Sequence, residues 1–199
     1  MLDLIYQIGR GFAFGGVRHP DLTGALRWTP LVFAVLGIAV YVALPVKPAL
    51  VGDGSLSRHL IAVFSTLPGF FIAALAAVAT FSRPEMDETM PDPAPQLKLK
   101  TGNERDWVDL TFRMFLSHLF GYLTTLAFIA VFLFLSVDLL SASGNDLLAK
   151  AVNEAALSHA ALALNAAYVG LAVWLSAKVV ITTLLGIYFL AERIHRPHA

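Results

Sequence analysis

The stretch Ser65–Phe81, STLPGFFIAALAAVATF, lies in the second of four strongly apolar segments and determines the fold expected for the chain. It places Pro68 and Gly69 inside a segment that otherwise suits a membrane-spanning helix. Proline lacks the backbone N–H and clashes with the preceding turn, so the carbonyl of Phe64 is expected to lose its helical partner. An unpaired backbone group is costly in lipid. We therefore predict a hinge at Pro68 and Gly69.

Small residues recur every four positions after this proline, at Gly69, Ala73 and Ala77. Residues four apart lie on one face of a helix, so the three form a stripe without bulky side chains. Such a stripe allows a second helix to approach backbone to backbone within the membrane. We predict that it is a helix-packing surface.

Composition identifies the class of protein. The 199 residues are 57 % hydrophobic and 14 % charged, with a mean hydropathy of +0.71. Four segments, at 29–46, 57–81, 112–137 and 162–191, are apolar enough to be membrane spans. The formal net charge of zero gives no reason to expect direct nucleic-acid binding, and the absence of cysteine excludes disulfides and thiolate metal sites. The predicted fold is an all-α membrane protein with four transmembrane helices, a cytoplasmic β-hairpin between spans 2 and 3, and a long fourth helix.

The expected organisation has four parts. They are an N-terminal interfacial segment at 1–28, spans 1 and 2 at 29–81, a cytoplasmic Pro-rich loop and hairpin at 82–111, and spans 3 and 4 at 112–199 with a periplasmic helical extension at 146–161. The glycines of the first part leave two possibilities, an amphipathic interfacial helix or a loosely ordered lead-in. The turn residues Ser143–Asp146 predict a helix N-cap before the extension.

The hairpin is predicted from alternating residues. Gln96–Lys100 alternates polar and apolar side chains, TGNE supplies a turn, and Asp106–Leu110 forms the returning strand. An isolated hairpin is only marginally stable in water, so it is expected to pack on its own membrane face, a neighbouring subunit or a partner. The residues predicted to bind a cytoplasmic partner protein are Leu97, Leu99, Trp107 and Val108.

The distribution of basic residues predicts the orientation. With four spans, the N-terminus, the segment 82–111 and the C-terminus share one side, and that side carries ten Lys and Arg residues against three on the other. Cytoplasmic loops are enriched in Lys and Arg. We therefore predict a multi-pass membrane protein with both termini and the hairpin in the cytoplasm.

Lys178 lies deep within span 4. An ionisable residue inside a membrane segment is a candidate functional site. Counting about thirteen residues from the cytoplasmic end of each span, at 1.5 Å per residue, reaches a common level in all four spans. The residues at that level are Tyr41, Pro68, Thr124, Thr125 and Lys178. Either the ammonium group serves the Phe64 carbonyl and the two threonine hydroxyls, or the side chain faces lipid and extends to the interface.

Motifs for enzymatic chemistry are absent from the sequence. It contains neither a G-x-S-x-G nor an H-E-x-x-H motif, and the glycines at 9–16 lack the lysine of a phosphate-binding loop. We expect no catalytic residues, no cofactor and no metal site. Three functions are compatible with the sequence: a membrane sensor or scaffold, an oligomeric channel or pore-forming effector lined by Ser65, Thr66, Thr124, Thr125 and Lys178, and a small transporter or membrane enzyme, which has the least support.

Two phrases, LPGFFIAALAAVATF at 67–81 and LTFRMFLSHLFGYLT at 110–124, together with the chain length and the four spans, carry a family resemblance. The chain resembles the KwaA-type four-span membrane subunit of the Kiwa antiphage defence system. The resemblance implies a homo-oligomer, with a tetramer as the expected state. It also implies an inner-membrane sensor that relays a phage-induced membrane disturbance to a cytoplasmic DNA-binding partner.

Overall fold

The computed structural model describes residues 9–101, 104–148 and 154–191. These residues form four long helices, α1 (Pro20–Ala43), α2 (Leu56–Thr80), α3 (Phe112–Leu148) and α4 (Glu154–Ala191), with strands β1 (Gln96–Thr101) and β2 (Glu104–Asp109) between α2 and α3. Each long helix contains a segment that is long and apolar enough to cross a membrane. The predicted all-α membrane fold with four spans and a hairpin is therefore confirmed.

The first helix begins earlier than the hydropathy pattern predicts. It begins at Pro20 rather than near Thr29, and Pro30 lies inside it. His19 caps the new start, because its Nδ1 accepts the backbone N–H of Leu22 at 3.3 Å. Pro20 suits the first helical position, where no N–H is needed. The cap, which hydropathy does not register, sets this boundary.

Neither of the two possibilities for the N-terminal segment is seen at Arg10–Gly16, which forms a short 3-10 helix. Four glycines at 9–16 account for the short element, since each weakens an α-helix by up to about 1 kcal/mol. Residues 1–8 lie outside the described part of the chain.

The connection between the last two spans also differs. Ser143–Asp146 lies within α3, which continues to Leu148, so the predicted turn at this position is wrong. No proline interrupts the chain there, and a single glycine is tolerated in a helix at a cost of about 1 kcal/mol. The predicted extension at 146–161 is divided between the end of α3 and the start of α4, and residues 149–153 lie outside the described residues.

The hairpin is confirmed with a defined register. β1 and β2 are antiparallel, and Leu97 pairs with Val108 while Lys98 pairs with Trp107. Side chains alternate across a strand, so Leu97 and Val108 share one face and Lys98 and Trp107 share the other.

The chain divides into two compact units. The first comprises Met1–Arg27, Leu67–Leu126 and Val179–Ala199, and the second comprises Trp28–Thr66 and Ala127–Lys178. The first unit contains the hairpin and the 3-10 helix. The second contains the connection between α1 and α2.

Buried aromatic rings form the core of the first unit. Phe14 of the 3-10 helix packs edge-on against Phe115 of α3 at 5.4 Å between ring centroids and lies 5.7 Å from Tyr122. Phe115 also contacts Phe189 of α4 at 4.8 Å. Such ring pairs add about 0.5–1.5 kcal/mol each beyond the area that they bury. The core thereby holds the N-terminal segment on α3.

The second unit relies on two glycines for close helix packing. A Cβ on Gly37 would lie 2.9 Å from Val173 Cγ2, and one on Gly170 would lie 2.6 Å from Ile38 Cδ1. Val173 of α4 therefore packs against Gly37 of α1, and Ile38 of α1 packs against Gly170 of α4, at points where a larger residue would displace these side chains.

Candidate functional site

The described residues of the first unit that lie outside its long helices form a group that we call the polar cap and define as residues 9–19, 82–101 and 104–111. Its Pro-rich loop contains a short 3-10 helix at Pro84–Asp87 and is held in place. Met86 and Met90 of this loop are buried, with 0 % and 4 % of their surface exposed. The Met90 N–H donates to the Leu110 carbonyl at 3.1 Å, and the Phe112 N–H donates to the Glu88 carbonyl at 3.3 Å.

Arg113, in the first turn of α3, ties the cap to the end of α2. Its guanidinium donates to the carbonyls of Val78 at 2.9 Å and Phe81 at 2.8 Å, where the last helical carbonyls lack partners within the helix. The same group forms two hydrogen bonds to the Asp87 carboxylate, at 2.7 and 3.0 Å. A cation at a helix C-terminus is favourable because the carbonyl ends carry partial negative charge.

This contact also changes the acidity of the loop. The hydrogen bond from Arg113 lowers the pKa of the Asp87 carboxyl below its ordinary value. Asp87 is therefore ionised over a wider pH range than a free aspartate, and the loop stays linked to α3 under mildly acidic conditions.

The hairpin packs on its own chain. Arg18 and Gln96 exchange backbone hydrogen bonds, each N–H donating to the other residue's carbonyl at 2.9 Å. This bridge pairs the start of the outer edge of β1, which would otherwise present unpaired backbone groups. The N-terminal segment of the same chain therefore supports the hairpin, and support by a neighbouring subunit or a partner stays a prediction.

The four residues predicted to bind a partner fall on opposite faces of the hairpin. Leu97 is buried, with 3 % of its surface exposed, while Leu99 and Val108 are half-buried. Trp107 is 39 % exposed, on the face away from Leu97. Arg18 lies over the Trp107 ring at 4.0 Å. The predicted set therefore separates into a packing group and one surface tryptophan.

A second cation, Lys98, lies 5.9 Å from the centre of the same ring. Cations within about 6 Å of an indole face are attracted to it. Two basic side chains therefore lie near the indole of Trp107, which is 39 % exposed on the polar cap.

The polar cap also contains a cleft of about 640 Å³ beside the start of α1. Its charged and polar lining comprises Arg18, His19, Thr23, Asp92, Gln96 and Asp109. Within the described ranges, no three His, Asp or Glu side chains are grouped so as to hold a metal ion.

The predicted hinge lies in a helix that is continuous from Leu56 to Thr80 through Pro68. The hydroxyls just before the proline bond to their own helix: Ser65 Oγ donates to the Ala62 carbonyl at 3.0 Å, and Thr66 Oγ1 donates to the Val63 carbonyl at 2.8 Å. Such back-bonding often bends a helix. Hinge motion at this proline stays a prediction.

The stripe Gly69, Ala73 and Ala77 lies on an exposed face of α2. A Cβ added to Gly69 would meet no atom within 4 Å. Within the described residues, no other helix contacts the stripe at Gly69. Its predicted role in helix packing stays a prediction.

The intramembrane polar residues make local contacts. Thr124 Oγ1 and Thr125 Oγ1 donate to the carbonyls one turn earlier in α3, at 2.8 and 2.9 Å. Thr125 also lies against Gly11, where a Cβ would clash with the hydroxyl. In the second unit, Lys178 lies 5.1 Å over the ring of Trp174, one turn earlier in α4. The predicted link between Lys178 and the threonines stays a prediction.

Tyr41 is found at the end of α1. Its side chain is buried with Leu50 and Val169, and α1 ends two residues later at Ala43. The Lys47 ammonium donates hydrogen bonds to the carbonyls of Tyr41 and Leu44, at 2.8 and 2.6 Å, and so caps the helix. The count that placed Tyr41 at mid-span began from Thr29, whereas the helix begins at Pro20.

The second unit contains a polar cluster that was not predicted from the sequence. Asp138 of α3, with 8 % of its side chain exposed, accepts the Gly52 N–H at 2.8 Å and the Arg58 Nε–H at 3.0 Å. Gly52 adopts a φ of 91°, which favours glycine. Arg58 also pairs with Asp53 at 3.0 Å. The sequence signals for this cluster are Asp138, directly after the predicted span at 112–137, and a glycine-rich loop followed by Arg58.

Comparison with protein-family models, curated proteins and solved structures finds no match to this chain. The class is therefore defined by the fold itself. Four helices suited to crossing a membrane, with an ordered polar cap between the second and third, define a multi-pass membrane protein.

Proposed function

We propose that the protein is a non-enzymatic membrane sensor or scaffold subunit that presents its polar cap to a soluble partner protein. The observation that carries the proposal is the position of Trp107, exposed beside Arg18 and Lys98 on a hairpin that is itself docked on the chain. A fixed surface aromatic needs little ordering on binding, and Trp and Arg are enriched among the residues that dominate interface energies.

The flanking charges define the partner's chemistry. Two cations beside the indole favour a partner surface with an apolar pocket for the ring and acidic groups at its rim.

The proposed orientation places the polar cap in the cytoplasm of a bacterium. Support comes from the basic residues of the N-terminal segment and of 82–113, which exceed those of the connections on the opposite side. In this orientation the exposed tryptophan faces soluble cytoplasmic proteins.

The family resemblance extends the proposal. As a KwaA-type subunit of a Kiwa antiphage system, the protein would form a homo-oligomer and transmit a phage-induced membrane disturbance to a cytoplasmic DNA-binding partner. The exposed stripe Gly69, Ala73 and Ala77 is the proposed contact between subunits, because it permits close helix approach. Pro68, next to the stripe, is the proposed hinge.

Site-specific photocrosslinking tests the partner surface. A photoreactive residue at position 107 of the full chain, in its native host, is expected to crosslink a soluble protein before or during phage challenge. The matched control is position 28, because Trp28 is also exposed, at 65 %, but lies in the apolar part of α1. Crosslinks from position 107 only to lipid or to the chain itself would refute the proposal.

A conductance measurement separates the alternative of an ion channel. If the protein is a scaffold, the purified protein in liposomes is expected to conduct no ions in the absence of phage. Reproducible single-channel currents that Lys178→Met abolishes would instead favour an oligomeric pore.

A further inference from the structure

The cleft of the polar cap continues into an apolar pocket. The pocket has a volume of about 160 Å³ and shares His19 and Pro93 with the polar cleft of about 640 Å³. Its apolar lining includes Leu22, Met90, Pro91, Leu185, Tyr188 and Phe189. Both cavities lie within the first unit.

The position of this composite site places it at the membrane surface. The first membrane-crossing segment begins at Leu22, and the fourth ends at Ala191. Leu22 and Leu185 belong to these two segments and line the apolar pocket, whereas the polar cleft is lined by Arg18, His19 and Pro20 just before the first segment and by Thr23 at its start. The site is therefore polar on the side of the cap and apolar on the side of the spans, as a bound lipid is.

The charges of the cleft are of both signs. Arg18 supplies a guanidinium, and Asp92 and Asp109 supply two carboxylates. Asp109 also accepts a hydrogen bond from Gln96 Nε2 at 2.8 Å, which orients its carboxylate. A purely anionic ligand would meet two like charges, whereas a ligand that also carries an ammonium group matches both signs.

Size agrees with a lipid headgroup and the start of its chains. A volume of about 640 Å³ lies within the range of about 300–1,000 Å³ that is typical of ligand pockets. The apolar pocket of about 160 Å³ is comparable to an engineered cavity of about 150 Å³ that binds benzene, so it accommodates a short hydrocarbon segment.

We infer that this site binds a phosphatidylethanolamine-type lipid, with the phosphate at Arg18, the ammonium at Asp92 and Asp109, and an acyl segment in the apolar pocket. The primary ammonium matters because its N–H groups donate to carboxylates, which a quaternary ammonium cannot do. Arg18 also stacks on Trp107, so an occupied site would hold the guanidinium from two sides. This inference does not depend on a protein partner.

Native mass spectrometry of the delipidated full chain tests the inference with three short-chain lipids. Dioctanoyl phosphatidylethanolamine is expected to bind about tenfold more tightly than the phosphatidylglycerol and phosphatidylcholine equivalents, the difference expected for charge-assisted hydrogen bonds. Water-soluble phosphoethanolamine is expected to bind at least tenfold more weakly than the lipid, because it leaves the apolar pocket empty.

Two variants that each neutralise one aspartate test whether the lipid binds in the cleft. Asp92→Asn is expected to weaken phosphatidylethanolamine binding about tenfold, whereas Asp106→Asn, on the hairpin but outside the cleft, leaves it unchanged. Arg18→Gln is expected to weaken phosphatidylethanolamine binding as well. Unchanged melting temperatures of the two aspartate variants exclude a folding defect. Equal binding of all three lipids, or equal effects of Asp92→Asn and Asp106→Asn, would overturn the inference.

Discussion

Phe14→Ala is expected to release the N-terminal segment from the first unit. The Phe14 side chain is 4 % exposed and contacts the rings of Phe115 and Tyr122. Truncating a buried phenylalanine costs about 3–5 kcal/mol, part of which is the loss of two ring pairs. Every 1.4 kcal/mol is a factor of ten, so even about 3 kcal/mol raises the open population of the segment roughly a hundredfold.

Limited trypsin digestion measures this opening at the Arg10–Gly11 bond, which lies within the 3-10 helix. When opening and closing are fast, cleavage follows the population of the open form. Phe12→Ala is the matched control, since Phe12 lies on the same element but is 47 % exposed. Cleavage of Phe14→Ala at the rate of Phe12→Ala would refute the docked position of the segment.

Two further perturbations test contacts elsewhere in the chain. Gly170→Val is expected to destabilise the second unit by about 1–3 kcal/mol, because its Cβ would lie 2.6 Å from Ile38 Cδ1. The control is Gly24→Val, where an added Cβ meets no atom within 4 Å and only the small effect of an exposed helical site is expected. Thermal unfolding in detergent compares the two variants. Because Arg113 lowers the pKa of Asp87, their contact contributes fully above about pH 5 and is lost as the pH falls through the lowered pKa, below the ordinary value of 3.8. Protection of the 82–92 loop from an acid-stable protease is expected to fall over that range, and Arg113→Gln is expected to remove the pH dependence.

The four spans and the hairpin could be predicted because their signals are local. Hydropathy over about 18 residues identifies a span, and the alternation in Gln96–Lys100 identifies a strand without knowledge of its neighbours. The boundary at Pro20 was missed because it depends on a histidine cap, which no hydropathy window detects.

The contacts that hold the polar cap could not be predicted because their partners are distant in sequence. Arg113 bonds to carbonyls of Val78 and Phe81, more than thirty residues earlier, and any helix end offers such carbonyls. Likewise, Gly37 and Gly170 lie outside the predicted packing stripe of α2, yet they are the glycines at which α1 and α4 contact each other. Contacts between residues that are distant in sequence can be identified only from the folded structure.

The most direct measurement of the central proposal, a four-span protein with a cytoplasmic polar cap, is cysteine accessibility. The chain contains no cysteine, so a single introduced thiol reports without background. A membrane-impermeant maleimide is expected to label Asp53→Cys, whose native side chain is 97 % exposed, in intact spheroplasts. It is expected to label Glu85→Cys, at another exposed position, only in inverted vesicles. Labelling of both positions from the same side, or in the reverse pattern, would contradict the proposed topology.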